Sequence, residues 1–150
     1  MAKKKNISIS NFPKDKAVAR EYAAKATDAG ITVKPGVMLY NDFLHACDML
    51  TEEQAGKLFQ AISIYQQNGE YTEFSDPTLR FAFSIFIPRA YEDSLKYAEK
   101  ALRNRYNATF RTIKQDDGSE VTEHPDFDEW FSKLLEKHEP IPYSDDSDDQ

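Results

Sequence analysis

Few of this chain's side chains could do chemistry, and they are scattered. His45, His124 and His138 are the only histidines, and no two stand four apart as a helical metal pair requires. Asp126, Asp128 and Glu129 follow His124 closely enough to suggest oxygen ligands. Acids just after Pro125, however, fall in the first turn of a helix, where the dipole favours negative charge. The second reading is the simpler one, so no metal and no cofactor are expected. Asp42, Asp48, Glu52 and Glu53 sit at helix starts in the same way, and nothing pairs two carboxylates in an apolar setting for acid/base work. Cys47, the single cysteine, lies between Leu44 and Leu50 on an apolar stripe, which points to packing rather than nucleophilic attack. It can form neither an internal disulfide nor a thiolate cluster. No Walker loop or dinucleotide-binding glycine pattern occurs. The expectation is a protein that is not an enzyme.

Charge is more informative. Lys96, Lys100, Arg103, Arg105, Arg111 and Lys114 lie close in sequence with Tyr97 and Tyr106 among them, a composition able to follow a nucleic-acid backbone. Against this stands a pI near 5.0, which favours a solvated face that meets the protein's own acids. The net charge of -7 is segregated. Residues 1–35 carry 8 Lys/Arg against 3 Asp/Glu, residues 36–77 carry 1 against 7, residues 78–115 carry 8 against 3, and residues 116–150 carry 2 against 13. The acidity is thus concentrated at the C-terminal end, where Asp145, Asp146, Asp148 and Asp149 crowd the last six residues. Such a carboxylate field can compete for a basic groove that normally holds nucleic acid. On that reading Asp126, Asp128, Glu129 and the terminal aspartates meet a host protein. On the alternative, Lys96, Lys100, Arg103, Arg105 and Arg111 meet nucleic acid.

These residues must be positioned by helices for the most part. Ile7 and Ile9 carry a period-2 strand signal that Pro13 closes. An alanine-rich segment from Lys14 to Ala29 then reads as a helix stopped by Gly30, with only Val18 and Tyr22 as large apolar side chains. Lys34, Pro35 and Gly36 mark a link. Asn41 reads as an N-cap before the stripe Phe43, Leu44, Cys47, Leu50. Thr51 and Gln54 have capping-box spacing, and the helix they open should bury Ala55, Leu58, Phe59, Ile62 and Tyr65 and end at Gly69, with Gly56 marking a close helix crossing. Asp76-Pro77 opens a helix apolar nearly all round, which Pro88 should kink or break before a stripe resumes at Tyr91, Leu95, Ala98 and Leu102. Residues 110–122 read as a hairpin around Gly118, and Phe127, Trp130, Phe131, Leu134 and Leu135 as a final amphipathic helix. The fold class is therefore mainly α: four to six helices, a small hairpin and a short N-terminal strand. The expected organisation is an N-terminal arm over 1–36, a helical core domain over 37–138, and a disordered acidic tail over 139–150 whose removal leaves stability unchanged.

The stretch from Tyr40 to Lys100 carries Tyr40-Asn41-Asp42-Phe43, Leu50-Thr51-Glu52-Glu53-Gln54-Ala55-Gly56-Lys57-Leu58-Phe59, Asp76-Pro77, Ile87-Pro88 and Lys96-Tyr97. These elements resemble an uncharacterised family of small helical proteins encoded by bacteriophages and mobile elements, often near replication genes. Relatives run from the Lys-Tyr pair into a Lys- and Gly-rich tail, whereas this chain continues with Arg103, Arg105, the hairpin and an acidic end. The resemblance implies an accessory protein in the cytoplasm of a bacterial host. The function expected is binding of a host macromolecular partner, such as inhibition of a defence nuclease; the alternative is a nucleic-acid-binding replication accessory. Self-association through the aromatic helices is a third route to a partner. No run of 18 apolar residues or leading hydrophobic region calls for a membrane.

Overall fold

Asp15 sets the start of the first helix. Its carboxylate accepts from the amides of Ala17 (2.8 Å) and Val18 (3.4 Å), and α1 follows over Lys16–Asp28. Gly30, at φ 73°, ends it, and the Ile31 amide donates back to the Ala26 carbonyl at 3.0 Å. In all, this computed structural model describes residues 6–9 and 12–143. The described elements are β1 (Asn6–Ile9), α1, α2 (Asn41–Cys47), α3 (Glu52–Asn68), α4 (Pro77–Asn107), β2 (Arg111–Lys114), β3 (Glu120–Glu123) and α5 (Phe127–Lys137). The fold is mainly α, with five helices and an antiparallel hairpin among the described residues.

The chain divides into two compact units, one contiguous (residues 34–94) and one split (residues 1–33 and 95–150). In the contiguous unit the capping box forms as its spacing predicts. The Thr51 hydroxyl accepts from the Gln54 amide at 3.1 Å, and the Gln54 side-chain oxygen accepts from the Thr51 amide at 2.9 Å. The Gln54 Nε2 then donates to Asp76 Oδ2 at 2.9 Å, so the start of α3 holds the residue before α4. Further along, Tyr65 meets Phe86 edge-on at 6.1 Å. The two helices therefore run in the same sense, and residues 69–76 return alongside them, with Tyr71 and Phe74 against Phe83. The core is Phe43, Leu58, Ala61, Leu79, Ala82, Phe83, Phe86 and Ala90.

Three expectations for this unit fail. Phe59 is 71% exposed and Ala55 is exposed too, because the buried stripe is Leu58, Ala61, Ile62, Tyr65, and both residues sit on its uncovered flank. A Cβ on Gly56 would meet nothing within 4 Å, so no close crossing exists there. Asn41 is the first helical residue of α2 and not its cap, since Tyr40 holds the cap position without a side-chain bond. Pro88 does not end α4. Its ring takes away the amide that would bond the Ser84 carbonyl, and both residues are exposed.

The split unit is built around α5 and the end of α4. Asp126 caps α5 by accepting from the Glu129 amide at 3.2 Å, and Phe127 and Phe131 face inward. Phe127 meets Phe12 (5.2 Å), Tyr22 (4.7 Å) and Tyr106 (5.2 Å) edge-on, the arrangement that sets a positive ring edge on a negative ring face. The helix of the segment read as an arm belongs here. Ala19, Ala23 and Ala26, almost wholly buried, let α1 lie close against a neighbour, with Ala23 grouped with Leu95 and Ala98 and the other two with Leu102 and Tyr106. The turn Gln115–Ser119 closes the hairpin with Gly118 at φ 85°, and Ile113 pairs with Val121. β1 adds in parallel to β3, giving the order β1-β3-β2. Residues 139–143, expected to start the tail, lie against this unit: the Ile141 amide donates to the Ile31 carbonyl at 2.8 Å and its side chain packs on the core.

Candidate functional site: a groove on the C-terminal part of α4

Beyond Leu95 the inward face of α4 is Leu95, Ala98, Leu102 and Tyr106. Tyr97, Ala101, Asn104 and Ala108 recur at i, i+4, i+7 and i+11 on another stripe. Ile141, Pro142 and Tyr143 lie along it, enclosing a groove of about 340 Å³. Lys100 and Arg105 complete its lining. At ~100° per residue they fall on opposite flanks of the stripe, and Lys96 stands one turn from Lys100 on the same flank. The groove thus has an apolar floor of Ala101, Ala108, Ile141 and Pro142, two tyrosines, one amide, and a cation at each side. Desolvation pushes the Tyr97 phenol up from its ordinary value.

The structure sorts the expected site residues. Among the described residues, Lys96, Lys100 and Arg105 form no ion pair. Arg103 is engaged, bonding Glu99 at 2.8 Å and covering the Phe12 ring at 5.2 Å. Arg111 is engaged too, reaching across the hairpin to Glu123 at 2.7 Å, its register partner. Tyr106, grouped with Tyr97 as a stacking side chain, is wholly buried and donates its hydroxyl to the Pro125 carbonyl. It is therefore a core residue, because its position falls on the inward stripe of Leu102.

The acids serve local roles. Asp126 is a cap, Asp128 accepts from the Tyr22 hydroxyl, and Glu129 is exposed in the first turn of α5. Asp145, Asp146, Asp148 and Asp149 lie outside the described residues. His124 Nδ1 donates to the Thr109 carbonyl at 3.0 Å while its ring lies 5.4 Å from Tyr106, which orients it into the hairpin base. Among the described residues no three His, Cys, Asp or Glu side chains converge to hold a metal. Burial, with a smaller contribution from Asp48, pushes the Cys47 thiol up, so it stays protonated and half-buried beside the core.

The contiguous unit carries a polar cluster that sequence reading missed. Tyr40 donates to Asp93 at 2.7 Å, which with burial raises the phenol above its ordinary value, and Arg89 stacks on the Tyr40 ring at 4.6 Å while bonding Asp42 at 3.0 Å. Lys34 stands 3.9 Å from Asp93. These bonds tie the start of the unit to α4 across some fifty positions of sequence, so no local pattern announces them. Asn104, Ile141, Pro142 and Tyr143 were missed as well. The first was readable from the helical period once Tyr97 was singled out; the last three depend on a long-range hydrogen bond at Ile31.

No helix among the described residues is long and apolar enough to cross a membrane. No curated protein and no solved structure matches the chain. Residues 36–114 do match a family model, covering almost the whole contiguous unit together with the α4 side of the groove and β2, and leaving out α1, β3 and α5. With more than half of its length matched, the chain belongs to a family of unknown function, DUF6291.

Proposed function

We propose that this chain is an accessory protein of a phage or mobile element, acting without catalysis of its own by binding a host macromolecule, and that the contiguous unit offers a protein-binding face. One observation carries this reading. The unit has a filled aromatic core, yet Met49 (83%), Phe59 (71%) and Phe81 (62%) stand open to solvent. Large apolar side chains left outside a complete core are available for a partner protein to bury. The phage origin rests on the sequence resemblance, and a host protein that handles nucleic acid, such as a defence nuclease, is the partner class it suggests. The test is capture of host proteins on the immobilised chain, with and without nuclease treatment. A partner that survives nuclease and is lost with Phe59→Ser plus Phe81→Ser supports the reading. Capture indifferent to both substitutions sinks it.

A second reading, a nucleic-acid-binding replication accessory, is favoured by a different observation: Lys96, Lys100 and Arg105 are exposed around the groove without an ion pair among the described residues. Loss of all capture on nuclease treatment would place this reading first.

A further inference from the structure

We propose that the α4 groove binds single-stranded nucleic acid, with one base in the groove and a backbone phosphate on either flank. The inference rests on the second reading above and deepens it by naming the site and the form of the ligand. The groove's volume, about 340 Å³, lies at the small end of the range of ligand pockets and accommodates one nucleobase with its sugar. Its floor of Ala101, Ala108, Ile141 and Pro142 suits a flat apolar face, and the Tyr97 and Tyr143 rings supply stacking surface that every base can use. Asn104 offers a donor and an acceptor to a base edge.

The cations decide between a free nucleotide and a strand. A mononucleotide has its phosphate at one end and needs charge on one side only. Lys100 and Arg105 instead fall on opposite sides of the stripe, with Lys96 extending the Lys100 side by one turn. A strand crossing the helix presents phosphate, base, phosphate in that order, and so matches cation, apolar floor, cation. A duplex holds its bases stacked and cannot place one on this floor. The net charge of -7 opposes close approach of any polyanion, so binding should need these local cations and fall steeply with salt.

The test uses the full chain and a fluorescent single-stranded deoxyoligonucleotide, titrated by anisotropy at several salt concentrations. The expected result is binding that weakens with salt, with a mononucleotide and a duplex of the same sequence both much weaker. Lys100→Gln with Arg105→Gln should flatten the dependence of log affinity on log salt by about 0.7 for each phosphate that is no longer neutralised. Tyr97→Ala should weaken binding roughly tenfold at constant slope. Ala101→Phe fills the groove without altering charge and should do the same; melting curves establish that each variant is folded, and the exposed Lys/Arg pair keeps the test sound if Tyr97→Ala is not. Absence of oligonucleotide binding overturns both the site and the second reading. Binding that none of these variants changes overturns the site and leaves that reading standing elsewhere on the chain. A mononucleotide, a duplex or a poly-glutamate peptide binding as tightly as the single strand also overturns the proposal, since none of them can set an unstacked base between two phosphates.

Discussion

The contiguous and split units use similar materials in different ways. In the contiguous unit the core is phenylalanine-rich, Lys34, Asp42, Arg89 and Asp93 are tied into one cluster with Tyr40, and large apolar side chains remain outside. In the split unit the aromatic rings are gathered around Phe127 and Tyr106, while cations stay exposed beside an apolar groove. One chain thus presents two kinds of surface. An apolar face gains from burying area against a protein, and a cation-flanked groove gains from meeting an anion.

The comparison is most sharply tested through the cores. Phe83 and Phe86 are almost wholly buried, so replacing either with Ala should cost about 3–5 kcal/mol in denaturant unfolding. Phe127→Ala should cost a similar amount in the split unit, where it meets three rings. A much smaller loss at Phe127 than at Phe83 would show that the split unit is held by something other than its aromatic cluster.

Removing residues 139–150 gives the next largest effect. The sequence alone suggests no change, but Ile141 donates to Ile31 and packs on the core, so a loss of ~1–2 kcal/mol is expected from one hydrogen bond and a half-buried side chain. Removing residues 144–150 alone should spare both interactions. Equal losses from the two truncations would contradict the docking of Ile141.

Thr51→Ala should cost about 1 kcal/mol, because it leaves the Gln54 amide without its acceptor. The same corner has a pH signature. Hydrogen bonds from Gln54 first, then from the Thr78 amide, hold the Asp76 carboxyl below the usual carboxylate range. A depressed value means stability that is present above the ordinary carboxylate pKa and lost as pH falls through the folded value. Asp76→Asn should therefore lower the melting temperature at neutral pH and make progressively less difference in strongly acidic solution. A gap between the two proteins that stays constant with pH would show that Asp76 acts only as a packed cap and not as an ionised one.

The smallest expected effect is on the exposed phenylalanines. Phe59→Ser and Phe81→Ser should each shift stability by no more than about 0.5 kcal/mol while changing partner capture. A large destabilisation would mean these rings are needed by the fold and would remove the contrast between the units.

Local sequence settles the features that depend on neighbours a few residues away. The capping box at Thr51, the helix start at Asp76-Pro77, the stop at Gly69 and the turn at Gly118 were all legible, because each requires a particular side chain or a positive φ within one turn of chain. The amphipathic pattern of α5 was legible for the same reason. Of the groove, Lys100, Arg105 and Tyr97 were named from composition. Packing decided which tyrosine was available, since Tyr97 and Tyr106 are equally basic-flanked in sequence and differ in which side of α4 they occupy. It likewise decided that Phe59 lies outside, that the alanine face of α1 is buried, and that Ile141 returns to Ile31. Each of these depends on whether an element distant in sequence covers that face, and burial is a property of the pair of surfaces that meet, which no local pattern contains.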